Sequence, residues 1–262
     1  MFEDLYKTTI GRAVARVLAS PFLSVLAGRF LDSRLSRPLI GPFIRKNGIS
    51  MADVKDSDFS CFNAFFTRRL IDGARPVDPE EGALVSPCDG LLTVVPVTEN
   101  GFITVKGTSY TVSELLDDEA AARSFVGGTC LVFRLTPKHY HRYCFPCDGE
   151  AGENRHINGI YHTVRPLALT YTPVFKTNTR EWTLLHTGFG DLIQMEVGAL
   201  LVGRIVNDIK SGSFRKGMEK GRFEFGGSTI ILLLPPGSTV INDHYTAADD
   251  EIEVRQGERL NK

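Results

Sequence analysis

Phe225-Gly-Gly-Ser-Thr-Ile-Ile-Leu-Leu-Leu234 opens the longest uncharged run of the chain, which continues to Asn242. A helix crossing a bilayer needs about 20 mostly apolar residues. This run carries Gly226, Gly227, Pro235, Pro236 and Gly237, too many breakers for such a helix. Its apolar, β-branched segment Thr229–Leu234 predicts a buried strand instead. Two glycines at the head of that strand waste packing and cost conformational entropy. They suit a β-bulge, or a backbone that must be approached closely. They also permit strained dihedrals at the Gly227–Ser228 peptide, where the neighbouring hydroxyl is placed to attack the carbonyl.

Working outward, short strands dominate from about residue 83. Thr129–Leu135 and Leu200–Val206 are apolar and β-branched. Trp182–His186 and Leu192–Val197 flank Gly188-Phe-Gly-Asp191 as a hairpin. Val94-Val95 and Phe102–Val105 flank Asn100-Gly101 as another. Ser113 is placed to cap a short helix through Arg123. Frequent glycine turns without β-α alternation predict an α+β fold, mainly antiparallel β, with helices added at the start. Residues 5–31 repeat apolar side chains at helical spacing (Tyr6, Ile10, Val14, Val17, then Phe22, Leu26, Phe30), and Pro38 and Pro42 end the helical region. Phe59–Leu70 reads as another short amphipathic helix ending in Arg68 and Arg69. The expected division is a helical region 1–48 and a β-rich domain 49–262.

Apolar residues make up 42% and charged residues 23%, as in a packed globular chain rather than a disordered one. The net charge is −1, so a nucleic-acid partner is not expected. Residues 1–50 hold eight Lys/Arg and three Asp/Glu, leaving the remainder acidic. A basic amphipathic arm predicts docking on an anionic membrane surface, the alternative being packing on the core. Val17–Gly28 is too short to span, and Glu3, Asp4 and Pro21 argue against a signal peptide. Five cysteines, an odd number, predict reduced thiols.

No GxGxxG, GxxxxGK[ST] or GxSxG pattern is present, so a nucleotide cofactor is not expected. Cys144-Phe-Pro-Cys147 has redox spacing, but Pro146 and Asp148-Gly149 follow where a helix would be needed. His139 and His141, on a strand, would share one face, which suits acid/base or metal-ligand chemistry. Asp89, in the tight turn Ser86-Pro-Cys-Asp-Gly90, is either a turn residue or a carboxylate that orients a histidine.

With Phe225-Gly-Gly-Ser-Thr229 in place, the chain resembles the phosphatidylserine decarboxylases. In order along it come Phe65-Phe-Thr-Arg-Arg-Leu70, Ser86-Pro-Cys-Asp-Gly90, Lys106-Gly107 with Tyr110 and Leu115-Leu116, and Leu135-Thr-Pro-Lys-His-Tyr-His-Arg142. Val197-Gly-Ala199 with Val202-Gly203, and Lys216-Gly217 with Glu219-Lys-Gly-Arg-Phe223, follow. The resemblance implies a pyruvoyl-dependent carboxy-lyase made as a proenzyme. It implies cleavage between Gly227 and Ser228 into chains 1–227 and 228–262 that stay associated, with Ser228 becoming the pyruvoyl group. That group would form a Schiff base with phosphatidylserine, release CO2 and give phosphatidylethanolamine, with no metal. Asp89, His141 and Ser228 would be catalytic. Many members carry a second histidine three residues after the first; here that position is Cys144, so the base role falls to His141, with His139 or Cys144 assisting. A peripheral enzyme on the cytoplasmic face of the membrane, as a monomer or a homodimer, is the expected setting. The alternatives are a metal-dependent hydrolase using His139 and His141, and an unprocessed lipid-binding relative.

Overall fold

A computed structural model describes residue 8 and residues 21–163, 173–199, 204–224, 228–248 and 250–262. Nine antiparallel strands form the main sheet. They are β1 (Gly90–Pro96), β4 (Thr129–Leu135), β6 (Gly149–Ala151), β7 (Arg155–Ile157), β8 (Arg180–Thr187), β9 (Gly190–Gly198), β11 (Gly212–Phe214), β13 (Ser228–Leu234) and β14 (Ile252–Val254). The order is β11-β6-β8-β9-β13-β4-β1-β14, with β7 also on β8. A second sheet joins β10 (Ile205–Asn207), β12 (Glu219–Phe223) and β5 (Arg142–Cys144); β2 (Phe102–Val105) pairs only with β3 (Thr108–Thr111).

The strand predicted from the glycine-serine run lies near the middle of the main sheet. Ser228 pairs with Gly198 of β9 on one side and Leu135 of β4 on the other. All seven residues of β13 are buried. Alternation sends Ile231 and Leu233 into one core with Trp182, Met195 and Phe175. It sends Ile230 and Leu232 into a second core with Phe133, Tyr143 and Phe223, between the main sheet and the small one. Ser228 shares that second face.

The β8–β9 hairpin forms as read, closing with Thr187 opposite Gly190, whose φ is +89°. The hairpin at Asn100-Gly101 does not form. Only Gly101 has positive φ there, while the type I′ turn that Asn-Gly favours needs two such residues; Lys106 and Gly107 (φ +50° and +81°) supply them and join β2 to β3. The helix expected after Ser113 is two pieces. Thr111 caps α4 (Val112–Leu116) through a capping box with Glu114, and Asp118 caps α5 (Glu119–Arg123) after Asp117 turns left-handed.

Of the N-terminal helices, residues 1–7 and 9–20 lie outside the described residues. α1 (Pro21–Leu31) is helical. Pro38 and Pro42 do not end the helical region: Pro38 sits in a 3₁₀ turn, and Pro42 in the first turn of α2 (Ile40–Asn47), where its missing N–H costs nothing. Gly48, left-handed at φ +61°, ends it. α3 (Phe62–Phe66) is shorter than expected and capped by the Cys61 thiol. Leu31, Ile40 and Phe43 pack on Phe62 and Phe66, and Ser36 Oγ accepts the Phe62 N–H at 2.8 Å. Residues 31–48 are thus anchored to the residues after them. Among the described residues no helix is long and apolar enough to cross a membrane.

Candidate active site

Ser228 heads β13, fully buried, and its Oγ has no hydrogen-bond partner among the described residues. A buried hydroxyl without a partner forfeits its hydration, so such an atom in a closed core points to chemistry. Gly227, expected on the other side of the scissile bond, lies outside the described residues.

His141 is also fully buried, in the turn that follows Leu135, the β4 residue paired with Ser228. It does not sit in a strand as the spacing suggested. The segment from Thr136 to His141 is a turn, tied by the His139 N–H to the Thr136 carbonyl, and β5 begins only at Arg142. The His141 carbonyl accepts the Phe223 N–H, which fastens this turn to β12 and to the core behind Ser228. His141 Nδ1 lies 2.9 Å from the His139 carbonyl oxygen. A carbonyl only accepts, so Nδ1 carries the proton and Nε2 keeps its basic lone pair. The Phe66 ring lies against the imidazole, centroids 4.1 Å apart.

His139 has the opposite tautomer. Its Nδ1 accepts the Thr136 N–H at 2.9 Å, which leaves Nε2 as the N–H, 3.5 Å from Glu253 Oε1. Burial pushes its pKa down, so it stays neutral near pH 7. The two imidazoles therefore do not form one face; the first histidine holds the second through its backbone.

Asp89 is buried in the turn ahead of β1, but its carboxylate is held by a different residue from the one expected. Arg75 grips it with both ends of its fork (Nε to Oδ1 2.7 Å, Nη2 to Oδ2 2.6 Å), and the Gln256 N–H adds a third bond at 3.0 Å. In this structure the His139 carbonyl, not Asp89, fixes His141 Nδ1. Asp89 reaches the histidine segment indirectly: the Gln256 side chain, on the residue it holds, donates to the carbonyls of Arg142 and Pro87. Sequence reasoning missed Arg75, Gln256 and Phe66, because nothing in their types marks them as partners of a turn aspartate or a histidine.

Cys144 ends β5 with its thiol 3.9 Å from the Ser86 carbonyl, and burial pushes its pKa up to about 12. A thiol that keeps its proton is no general base, so assistance from Cys144 would have to be steric. All five cysteines are buried and free, and Cys144-Cys147 opens no helix, which removes the redox reading. Among the described residues no three His, Cys, Asp or Glu side chains converge as metal ligands, and the hydrolase alternative has no metal cluster to stand on.

A buried ion pair lies behind the site. Lys220 Nζ sits 2.9 and 2.8 Å from the two Glu196 carboxylate oxygens and 2.8 Å from Asn207 Oδ1. Glu196 is on β9, two residues before the Gly198 that pairs with Ser228.

The comparisons agree with this geometry. The family described as phosphatidylserine decarboxylase matches residues 62–262. "Phosphatidylserine decarboxylase proenzyme 2" of Clostridium acetobutylicum is 40% identical over 98% of this chain and 89% of its own length. A phosphatidylserine decarboxylase proenzyme of Clostridium botulinum (strain 657) is 40% identical over 91% and 83%, and one of Clostridium novyi is 37% identical over 98% and 90%. Matches of that extent, on a chain whose buried Ser228 heads a central strand, place it firmly: this chain belongs to the phosphatidylserine decarboxylase family.

Proposed function

We propose that this chain cleaves itself ahead of Ser228 and then decarboxylates phosphatidylserine to phosphatidylethanolamine at a membrane surface. The observation that carries the proposal is the Ser228 hydroxyl, buried without a partner among the described residues at the head of a central strand, in a chain whose relatives are named as proenzymes.

The residues present fit the formation of a pyruvoyl group. Nε2 of His141, basic because Nδ1 is held protonated, removes the Ser228 hydroxyl proton. The oxygen attacks the Gly227 carbonyl; the C–N bond breaks, the nitrogen takes the proton, and an ester replaces the amide. Loss of the Ser228 α-proton then expels a chain ending in the Gly227 carboxylate and leaves dehydroalanine. Water releases ammonia from that residue. Asp89, fixed by Arg75, positions the segment through Gln256. Once formed, the group supplies an electron sink for loss of CO2 from an amino-acid headgroup. His141 then holds the proton that must replace CO2 on the headgroup carbon.

The new C-terminal chain stays in place because of β13. Ile230 to Leu234 are at most 1% exposed, worth on the order of 10 kcal/mol of apolar burial as an upper bound. β14 and Leu260, whose N–H meets the Leu84 carbonyl, add further anchors.

The N-terminal helices support docking on a membrane surface, which we take to be the cytoplasmic face. Leu26, Phe30, Leu35 and Leu39 are exposed large apolar side chains, interleaved with exposed Arg29, Arg34 and Arg37. Apolar residues amid arginines suit an anionic lipid interface. The test is Ser228→Ala: it leaves one 29.0 kDa chain without decarboxylase activity, while the unaltered protein gives two chains and releases CO2 from phosphatidylserine. Activity in the uncut variant would overturn the proposal.

A further inference from the structure

Arg68 follows α3 and is 4% exposed. Its Nη2 lies 3.3 Å from the His139 carbonyl oxygen, the atom that also receives His141 Nδ1. The guanidinium therefore adjoins the catalytic histidine. Its Cζ lies 5.2 Å from the Phe65 ring centre. Nε and Nη1 are buried and have no hydrogen-bond partner among the described residues. Burial pulls its pKa down, yet arginine stays charged in proteins. The nearby carboxylate, Asp89, is already gripped by both ends of Arg75.

A buried cation with unmatched donors is costly to keep, and the cost is removed when an anion brings oxygen acceptors to it. The donors are closed to bulk water. An anion that reaches them has already entered the site beside His141. Resting on the decarboxylase reading above, we infer that Arg68 is a binding residue for the phosphodiester of the lipid headgroup.

The headgroup carries two anions, and physical chemistry chooses between them. The carboxylate leaves as neutral CO2, so a cation paired to it would favour the ground state over the transition state and slow the reaction. The phosphodiester keeps its charge throughout. Pairing with it through planar, two-point geometry binds substrate and product alike.

The test compares the processed two-chain enzyme with Arg68→Gln, using phosphatidylserine in nonionic mixed micelles. Glycerophosphoethanolamine, which has the phosphodiester but no carboxylate, serves as competitor. Processing remains complete, and kcat changes less than about threefold. KM for the lipid and the inhibition constant of glycerophosphoethanolamine rise together by about tenfold to a hundredfold, the range for a lost hydrogen bond to a charged group. A rise in KM with no change for the competitor would assign Arg68 to the carboxylate, and no change in either would make it structural; both overturn the proposal. Inorganic phosphate that competes as well as glycerophosphoethanolamine would replace a headgroup site with a general phosphate site. If Arg68→Gln is not processed, Arg68→Lys, which keeps the charge without the fork, is read in the same way. In the unaltered enzyme, glycerophosphoserine must inhibit more strongly than serine; equal inhibition overturns the proposal. An unaltered chain that neither cleaves nor releases CO2 contradicts the decarboxylase reading and takes this proposal with it.

Discussion

Replacing Lys220 with methionine removes a charge from a place where water cannot replace it. Both Lys220 and Glu196 are 0% exposed, and Nζ makes three close contacts, two with Glu196 and one with Asn207. Removing one partner of a buried pair costs about 3–5 kcal/mol, because the remaining carboxylate stays desolvated without its counter-charge, met only by the Asn207 amide at 3.2 Å. With a urea dependence of about 3 kcal/mol per molar for a chain of this size, the midpoint falls by roughly 1–1.7 M. Burial pushes the Glu196 carboxyl up, and Lys220 is the largest influence opposing it. In Lys220→Met the largest downward influence is lost and only the Asn207 hydrogen bond still opposes burial, so the folded pKa lies further above the unfolded value near 4.5. Below that value both states hold the proton and the penalty is smallest. As pH rises the unfolded chain releases its proton first, and the destabilisation grows toward pH 8. The assay is urea unfolding from pH 5 to 8 in a Ser228→Ala background, so that one covalent chain unfolds and refolds. Lys220→Met with Glu196→Leu recovers to within about 1–2 kcal/mol of the parent, since Asn207 keeps Glu181 and Tyr143 as partners. A pH-independent loss below 1 kcal/mol, or a double variant no better than the single, would refute the reasoning.

Asp89→Asn removes the charge that Arg75 grips, and it slows appearance of the two chains by at least about tenfold, read by gel over time; an unchanged rate would remove Asp89 from the positioning path. Cys144→Ala leaves processing within about threefold of the parent, and Cys144 resists iodoacetamide at pH 8 until the protein is unfolded; rapid native labelling would contradict a thiol that keeps its proton. Phe30→Glu with Leu35→Glu changes two exposed side chains and weakens sedimentation with phosphatidylserine vesicles about tenfold or more at unchanged melting temperature; unaltered sedimentation would return this patch to an ordinary surface.

The long strands were legible because burial on both faces leaves a mark in composition. β13 and β4 read as near-continuous apolar runs, and β8–β9 announced itself by its glycine turn. Leu200–Val206 reads as a strand, of which Ile205 and Val206 fall in β10 while 200–203 lie outside the described residues; three-residue strands such as β5 are too short to show a period, so the small sheet over the site was not foreseen. That sheet decides what His141 does. The histidine spacing suggested a strand, whereas a turn lets one residue hold the next by its carbonyl. Arg68 and Arg75 were hidden for another reason. Charge in a sequence reads as surface, and only three-dimensional placement shows an arginine buried among phenylalanines or paired with a turn aspartate.

The central claim is that Ser228 gives up its identity when the chain breaks ahead of it. Intact-mass measurement of the smaller chain from freshly purified, active protein tests this directly. The account predicts a fragment covering 228–262 whose mass is one ammonia below that of the serine-headed peptide, and which resists N-terminal sequencing. A serine-headed fragment, or a single 29.0 kDa chain in protein that releases CO2 from phosphatidylserine, would contradict it.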